Sequence, residues 1–99
     1  MIHFYRVAAI GPGKVMSAMA FAKEISVFLK EKHGLDVTVA MPVGGNPNRV
    51  GWATTYENLG ALEAATAKMM MDPSYTELVR KGAENFIAGS VRDEIWRSV

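Results

Sequence analysis

The spacing of hydrophobic residues changes along the 99-residue chain, and each change predicts a new element. Residues 2–10 are rich in aromatic and β-branched side chains, which is typical of a strand. Between residues 14 and 32 the apolar positions recur every three or four residues, which predicts an amphipathic helix of about five turns. Gly34 follows this helix and suits the left-handed backbone conformation that ends many helices.

The middle of the chain predicts a hairpin that leads into a second helix. Residues 35–43 and 49–56 have the pattern of strands, and the sequence Gly-Gly-Asn-Pro-Asn between them predicts a turn. Asn58 has the side chain of a helix N-cap. A helical stripe then follows at Leu59, Leu62, Ala65 and Met69.

The last third of the chain predicts a further helical segment and a final strand. Asp72 and Pro73 are suited to the N-cap and the first position of a helix, respectively. Helical spacing continues to Phe86, and the pair Gly89-Ser90 interrupts it. Residues 91–99 alternate between apolar and polar side chains and are predicted as a strand.

This order of elements predicts an α+β fold with ferredoxin-like β-α-β-β-α-β topology in a single domain, residues 1–99. Right-handed crossovers then give a four-stranded antiparallel sheet of order 4-1-3-2 with the helices on one face. The strands carry apolar side chains on both faces, so the helix-free face needs cover. We therefore expect a homodimer of the dimeric α/β-barrel kind, formed through the sheet faces.

Composition narrows the chemistry and the partners. The sequence has no cysteine, which excludes disulfides, thiolate zinc sites and cysteine nucleophiles. The net charge is +1 and no basic block is present, so a nucleic-acid partner is not expected. The apolar runs are shorter than the roughly 20 residues that span a bilayer, and the N-terminus lacks the layout of a signal peptide. We expect a soluble, cytoplasmic protein with no membrane partner.

Several turn and cap motifs carry a family resemblance that spans nearly the whole chain. They are Gly11-Pro12-Gly13-Lys14, Asn48-Arg49-Val50, Tyr56-Glu57-Asn58-Leu59 with Glu63, Asp72-Pro73, and Glu94-Ile95. With these motifs the chain resembles the ferredoxin-like dimeric α/β-barrel proteins, and within them the NIPSNAP-like group. Antibiotic biosynthesis monooxygenase-like, EthD-like and haem-degrading families share this architecture with different chemistry. The resemblance therefore implies the fold and the dimer, and no settled reaction.

The first strand holds the candidate catalytic residues His3, Tyr5 and Arg6. His3 and Tyr5 could face a cleft as a base and a hydrogen-bond donor; alternatively His3 lies at the edge of the sheet, partly in water. Haem-degrading families have their iron-binding histidine at a different position, so the resemblance implies no iron-binding role for His3. Arg6 lies in a central strand and needs an acceptor, which Asp93 or Glu94 of the final strand can supply. It is either part of a structural ion pair, within the chain or across a dimer interface, or an anchor for a substrate carboxylate or phenolate.

Candidate ligand-binding residues follow in the third strand and the second helix. Trp52 and Tyr56 share one face of their strand, and Met69 and Met70 lie in a run of methionines. An aromatic wall with a few polar groups suits a small aromatic or polyketide-like ligand. The same residues are equally typical of a core or a subunit interface, where methionine fills irregular gaps.

Other site types have no support in the sequence. The two histidines are thirty residues apart and form no metal-binding motif, so no metal is expected. No serine lies in a nucleophile elbow. The Gly-Pro-Gly-Lys turn lacks the glycine spacing of phosphate-binding loops, and its proline removes an amide donor. We expect no cofactor.

Three hypotheses for function remain. The first is a homodimer of undefined activity that binds a small apolar or aromatic molecule in the cleft between sheet and helices. The second is a cofactor-independent monooxygenase, cyclase or isomerase that acts on small aromatic or polyketide-like substrates. The third is a purely structural or interaction module. An enclosed pocket of a few hundred Å³ that contains His3 or Arg6 with a free polar group would favour the enzyme. A space filled by Trp52 and the methionines would argue against it.

Overall fold

The computed structural model describes residues 1–99 and shows the elements in the predicted order. The strands are β1 (Ile2–Ala9), β2 (Thr38–Ala40), β3 (Arg49–Tyr56) and β4 (Arg92–Arg97), and the helices are α1 (Val15–His33), α2 (Leu59–Met70) and α3 (Pro73–Gly82). A short 3-10 turn, Ala83–Asn85, follows α3. The sheet order is β2-β3-β1-β4, and all pairs are antiparallel. The predicted α+β class and strand order are confirmed.

Strand β2 is shorter than the predicted strand over residues 35–43. At its start, the Leu35 N–H still donates to the Leu29 carbonyl at 3.1 Å, as part of the end of α1 around the left-handed Gly34. At its end, Pro42 has no N–H to donate to a ladder. Only the three residues Thr38–Ala40 therefore pair with β3. The final strand is also shorter than predicted, at 92–97 instead of 91–99.

Two predicted helix caps are present. The Asn58 side-chain oxygen accepts a hydrogen bond from the Ala61 N–H at 2.8 Å. Asp72 accepts one from the Ser74 N–H at 2.9 Å, and Pro73 occupies the first turn of α3. Each side chain thus satisfies an amide that the first turn of its helix leaves without a partner. None of the helices combines the length and apolar character needed to cross a membrane.

Asp72 also joins α1 to α3. Its carboxylate accepts hydrogen bonds from Lys32 at 2.9 Å and from His33 Nε2 at 2.8 Å, both in the last turn of α1. Asp72 is only 8% exposed. The Lys32 hydrogen bond, aided by His33 and the Ser74 amide, lowers the pKa of Asp72 to about 2. His33, at the end of α1, therefore contacts the residue that caps α3.

The helices pack on one face of the sheet. Even-numbered residues of β1 and β3 face the helices and include the buried residues Ile2, Ala8, Val50 and Tyr56. Among the odd-numbered residues of the same strands none is buried. On that helix-free face Tyr5 is 43% exposed, and Trp96 of the neighbouring β4 is 59% exposed.

Most of the buried hydrophobic residues belong to one of two separate clusters. One contains Ile10, Ala18, Ala22 and Val50, and the other contains Ile2, Tyr56 and Leu62. Strands β1 and β3 pair antiparallel along their whole length, and the two clusters lie at opposite ends of this pair. Six residues of strand separate the ends, which is roughly 20 Å. The middle of the helix-facing side of the sheet is left for a cavity.

Candidate ligand-binding cavity

A cavity of about 350 Å³ lies between the sheet and the helices, in the gap between the two core clusters. The sheet side of its wall consists of Phe4, Arg6, Ala8, Trp52, Thr54 and Tyr56. Helices α1, α2 and α3 and the segment before β4 close the other sides. Seventeen of its twenty lining residues are hydrophobic, and its volume lies within the range of small-molecule pockets.

One end of the cavity is aromatic. The Trp52 and Phe86 rings pack edge to face with centroids 6.0 Å apart, and Phe86 packs likewise on Phe21 at 5.7 Å. Trp52 Nε1 donates a hydrogen bond to the Ala22 carbonyl of α1 at 3.3 Å. The indole is therefore held in place with its polar group satisfied, and it presents the cavity with an apolar surface.

Gly82 allows this aromatic end to form. Gly82 is buried at the end of α3, and a Cβ atom built there would lie 2.1 Å from the nearest atom of the Phe21 ring. Its φ of −83° is open to any residue, so the requirement for glycine comes from the close approach of the ring. Phe21 reaches its position in the cavity wall because residue 82 has no side chain.

Arg6 provides the charged group of the cavity. Its Nε and Nη2 atoms donate to the two carboxylate oxygens of Asp93 at 2.7 and 2.9 Å, and its Cζ lies 5.5 Å from the centre of the Phe4 ring. The predicted ion pair with the final strand is thus present within one chain. Glu94, the other acceptor considered, binds the indole N–H of Trp96 at 2.9 Å instead.

Arg6 is less buried than its central strand led us to expect. Its side chain is 41% exposed and that of Asp93 is 38% exposed. The reason is that every residue of the neighbouring edge strand β4 is exposed. The hydrogen bonds that Arg6 donates to Asp93 nevertheless raise the pKa of Arg6, with burial acting in the opposite direction.

Two tyrosines, Tyr56 and Tyr75, line the cavity together with Arg6. Tyr75 of α3 adds a contribution to the raised pKa of the guanidinium that is smaller than that of Asp93. Burial raises the pKa of Tyr56, although the positive charge of Arg6 opposes this shift. Tyr56 is therefore a neutral hydroxyl donor near pH 7. We call Arg6, Tyr56 and Tyr75 the polar end of the cavity.

The structure separates the residues that the sequence singled out. Arg6, Trp52, Tyr56 and Met69 all line the cavity. His3 and Tyr5 do not line it, because side chains alternate along β1 and theirs lie on the helix-free face. There, His3 Nε2 hydrogen-bonds the Ser98 hydroxyl.

Met70 is also outside the cavity wall, and it is 70% exposed. Tyr75 was missed as a site residue: its helical spacing predicted only its place in α3. Its position in the cavity wall depends on how α3 packs on the sheet, which no local sequence pattern predicts. No three His, Asp or Glu side chains come together as a potential metal site.

The fold defines the class of the protein, a ferredoxin-like α+β fold with one open sheet. By sequence, neither a family model nor a curated protein matches the chain. Among solved structures, an uncharacterised NIPSNAP-domain protein from Burkholderia xenovorans has a TM-score of 0.84 at 13% identity, with 100% of this chain and 95% of the other covered. A NIPSNAP family protein from Agrobacterium tumefaciens has a TM-score of 0.83 at 14% identity, with 99% and 92% covered.

A protein from Deinococcus radiodurans, provisionally described as an antibiotic biosynthesis monooxygenase, has a TM-score of 0.73 at 12% identity, with 100% of this chain and 93% of the other covered. Structures with these names therefore share one architecture with this chain. The resemblance to NIPSNAP-like proteins is confirmed in the fold. At such identities the likeness extends to the fold alone, so chemistry has to be argued from the cavity.

Proposed function

We propose that this chain is a cytoplasmic, homodimeric α/β-barrel protein that binds a small apolar or aromatic molecule in the cavity between its sheet and helices. The main support for ligand binding is the position of the cavity. It occupies the centre of the helix-facing side, where a protein of this size would otherwise place its core, and seventeen of its twenty lining residues are hydrophobic. Interiors normally pack with few voids larger than a water molecule. A space of about 350 Å³ therefore favours a binding role.

Ligand binding can be tested by comparing two phenylalanine substitutions on exposed valines. Val79 lines the cavity, whereas Val27 is exposed and does not. Val79→Phe should fill part of the cavity and weaken the binding of naphthalene-sized compounds, measured by calorimetry; Val27→Phe should leave their affinity unchanged. At a ligand concentration of 100 times Kd, binding should stabilise the native protein by about 2.7 kcal/mol. The proposal fails if no compound in such a series binds, or if both variants bind as the wild type does.

The homodimer is supported by the surface of the helix-free face. Tyr5 and Trp96 are large side chains that are 43% and 59% exposed there, and strand β4 has no buried residue. Large aromatic residues are enriched at subunit interfaces. Pairing two such faces across a two-fold axis would cover them.

The polar end favours a second candidate function, a cofactor-independent monooxygenase, cyclase or isomerase for small aromatic or polyketide-like substrates. Arg6, Tyr56 and Tyr75 can donate hydrogen bonds to an oxygen on which negative charge develops, such as that of an enolate or phenolate. His3 lies on the other face, so the substrate would have to be acidic enough to transfer its proton to solvent water. Oxygen uptake with a dihydroxynaphthalene above the uncatalysed rate would support the monooxygenase; an unchanged rate would count against it.

A further inference from the structure

We infer that the ligand of this cavity is a small hydrophobic carboxylate, with its carboxylate at the polar end and its apolar body against Trp52 and Phe86. This inference rests on the proposed function and names the class of ligand. It depends on the donors that the polar end presents, on the absence of an acidic residue from the wall, and on the size of the cavity.

The polar end offers hydrogen-bond donors to a ligand. Asp93 accepts from Nε and from one Nη2 hydrogen of Arg6, which leaves the two Nη1 hydrogens and the second Nη2 hydrogen for other acceptors. The Tyr56 hydroxyl is neutral and can donate. Thr54, the other polar side chain in the wall, already donates to the Asp36 carbonyl at 2.9 Å. A ligand group placed among these donors should be an acceptor.

No Asp or Glu lines the cavity. Asp93 neutralises Arg6 from the edge strand, so the attraction for a carboxylate comes from directed hydrogen bonds to its oxygens more than from net charge. Hydrogen bonds to an ionised acceptor are roughly twice as strong as those between neutral groups. A neutral amide of the same shape keeps one acceptor oxygen but adds N–H donors, for which the side chains of the wall offer only the hydroxyl oxygens of Thr54, Tyr56 and Tyr75 as acceptors. The site should therefore discriminate between an acid and its amide.

The apolar part of the cavity limits the size of the body. Taking about 30 Å³ of liquid volume for each non-hydrogen atom, as for water, 350 Å³ holds roughly a dozen such atoms. Trp52, Phe86 and Phe21 provide flat aromatic surfaces in the cavity wall. A bicyclic aromatic acid such as 2-naphthoate matches this size and shape.

The experiment compares 2-naphthoate with 2-naphthamide by isothermal titration calorimetry. The wild-type protein should bind the acid at least tenfold more tightly than the amide. The double variant Arg6→Met/Asp93→Leu removes both partners of the ion pair, so no unpaired carboxylate is left beside the cavity to repel the acid. It should lose the tenfold preference and keep its affinity for the amide. Tyr56→Phe and Tyr75→Phe should each reduce the preference several-fold.

The matched control is Arg80→Met/Glu77→Leu, which removes an ion pair of the same type on the surface of α3, at 2.6 Å and away from the cavity. It should keep the wild-type preference. Equal affinity for acid and amide in the wild type would overturn the inference and leave the proposed function standing. A preference that survives in the Arg6/Asp93 double variant would also overturn it, because the carboxylate would then bind elsewhere. If neither compound binds, the inference fails as well, and the proposed function fails only if the series of naphthalene-sized compounds also shows no binding.

Discussion

The substitution Gly82→Ala should force the aromatic end of the cavity to move. The new Cβ would lie 2.1 Å from the Phe21 ring, whereas carbon atoms pack at about 3.5–4.0 Å. The ring must therefore shift by roughly 1.5 Å. Overpacking of this kind costs about 1–3 kcal/mol, and alanine returns at most about 1 kcal/mol through its better helix propensity. We expect a net loss of about 1–2 kcal/mol in the free energy of unfolding.

For a domain of this length, a loss of about 1 kcal/mol lowers Tm by roughly 4–8 °C. Thermal unfolding followed by circular dichroism measures it, and Gly60→Ala serves as the control. A Cβ at Gly60 meets only the Asn58 side-chain oxygen, at 3.3 Å, so its effect should be smaller. A Gly82→Ala protein with an unchanged or higher Tm would refute the packing argument.

A double-mutant cycle isolates the contact. Phe21→Leu shortens the side chain that Cβ would meet, so Gly82→Ala should cost much less in the Phe21→Leu background than in the wild type. Because Phe21 lines the cavity, Gly82→Ala alone should also weaken binding of 2-naphthoate. Additive effects of the two substitutions on Tm would mean that the ring does not restrict residue 82.

Three further predictions follow from the sheet surface, from Asp72 and from Arg6. Sedimentation equilibrium should give a mass of about twice the 10.8 kDa of one chain. Trp96→Glu should shift the protein toward monomer, whereas Met16→Glu, at a residue of α1 that is 87% exposed, should not. A monomeric wild type at micromolar concentration would contradict the dimer. The pKa of Asp72 is about 2 in the folded protein against an ordinary value of 3.8. The ionised carboxylate therefore contributes its full stabilisation above pH 4 and loses it as the pH falls toward 2. Acid unfolding curves of Asp72→Asn that match those of the wild type in this range would contradict the stabilising role of Asp72. Arg6→Met should lower the free energy of unfolding by less than about 1 kcal/mol, because the Asp93 carboxylate left behind remains in contact with water. A larger loss, measured by chemical denaturation, would show that the pair is effectively buried.

Local signals predicted the ends and the order of the elements well. Asn58, Asp72 and Gly34 act through their own backbone neighbours, so their roles can be derived from sequence. The length of β2 could not be derived in the same way. Its alternating pattern extends over residues 35–43, but the end of α1 takes the Leu35 amide and Pro42 ends the ladder.

Four of the residues that the sequence singled out, Arg6, Trp52, Tyr56 and Met69, line the cavity. Trp52 and Tyr56 share a face by the period of their own strand, and both line the cavity. His3, Tyr5 and Arg6 are close in sequence, yet alternation places Arg6 on the opposite face from the other two. Which face of the sheet carries the helices depends on how α1 and α3 pack on it. The position of Tyr75 in the same cavity wall as Arg6 depends on this packing too.

The most direct test of ligand binding in the cavity uses the two tryptophans as reporters in a ¹H–¹⁵N NMR titration with 2-naphthoate. Trp52 lines the cavity, whereas Trp96 lies on the helix-free face and is 59% exposed. Binding in the cavity should shift the indole N–H signal of Trp52 in a saturable way and leave that of Trp96 unchanged. A shift of Trp96 alone, or of neither signal, would contradict the account.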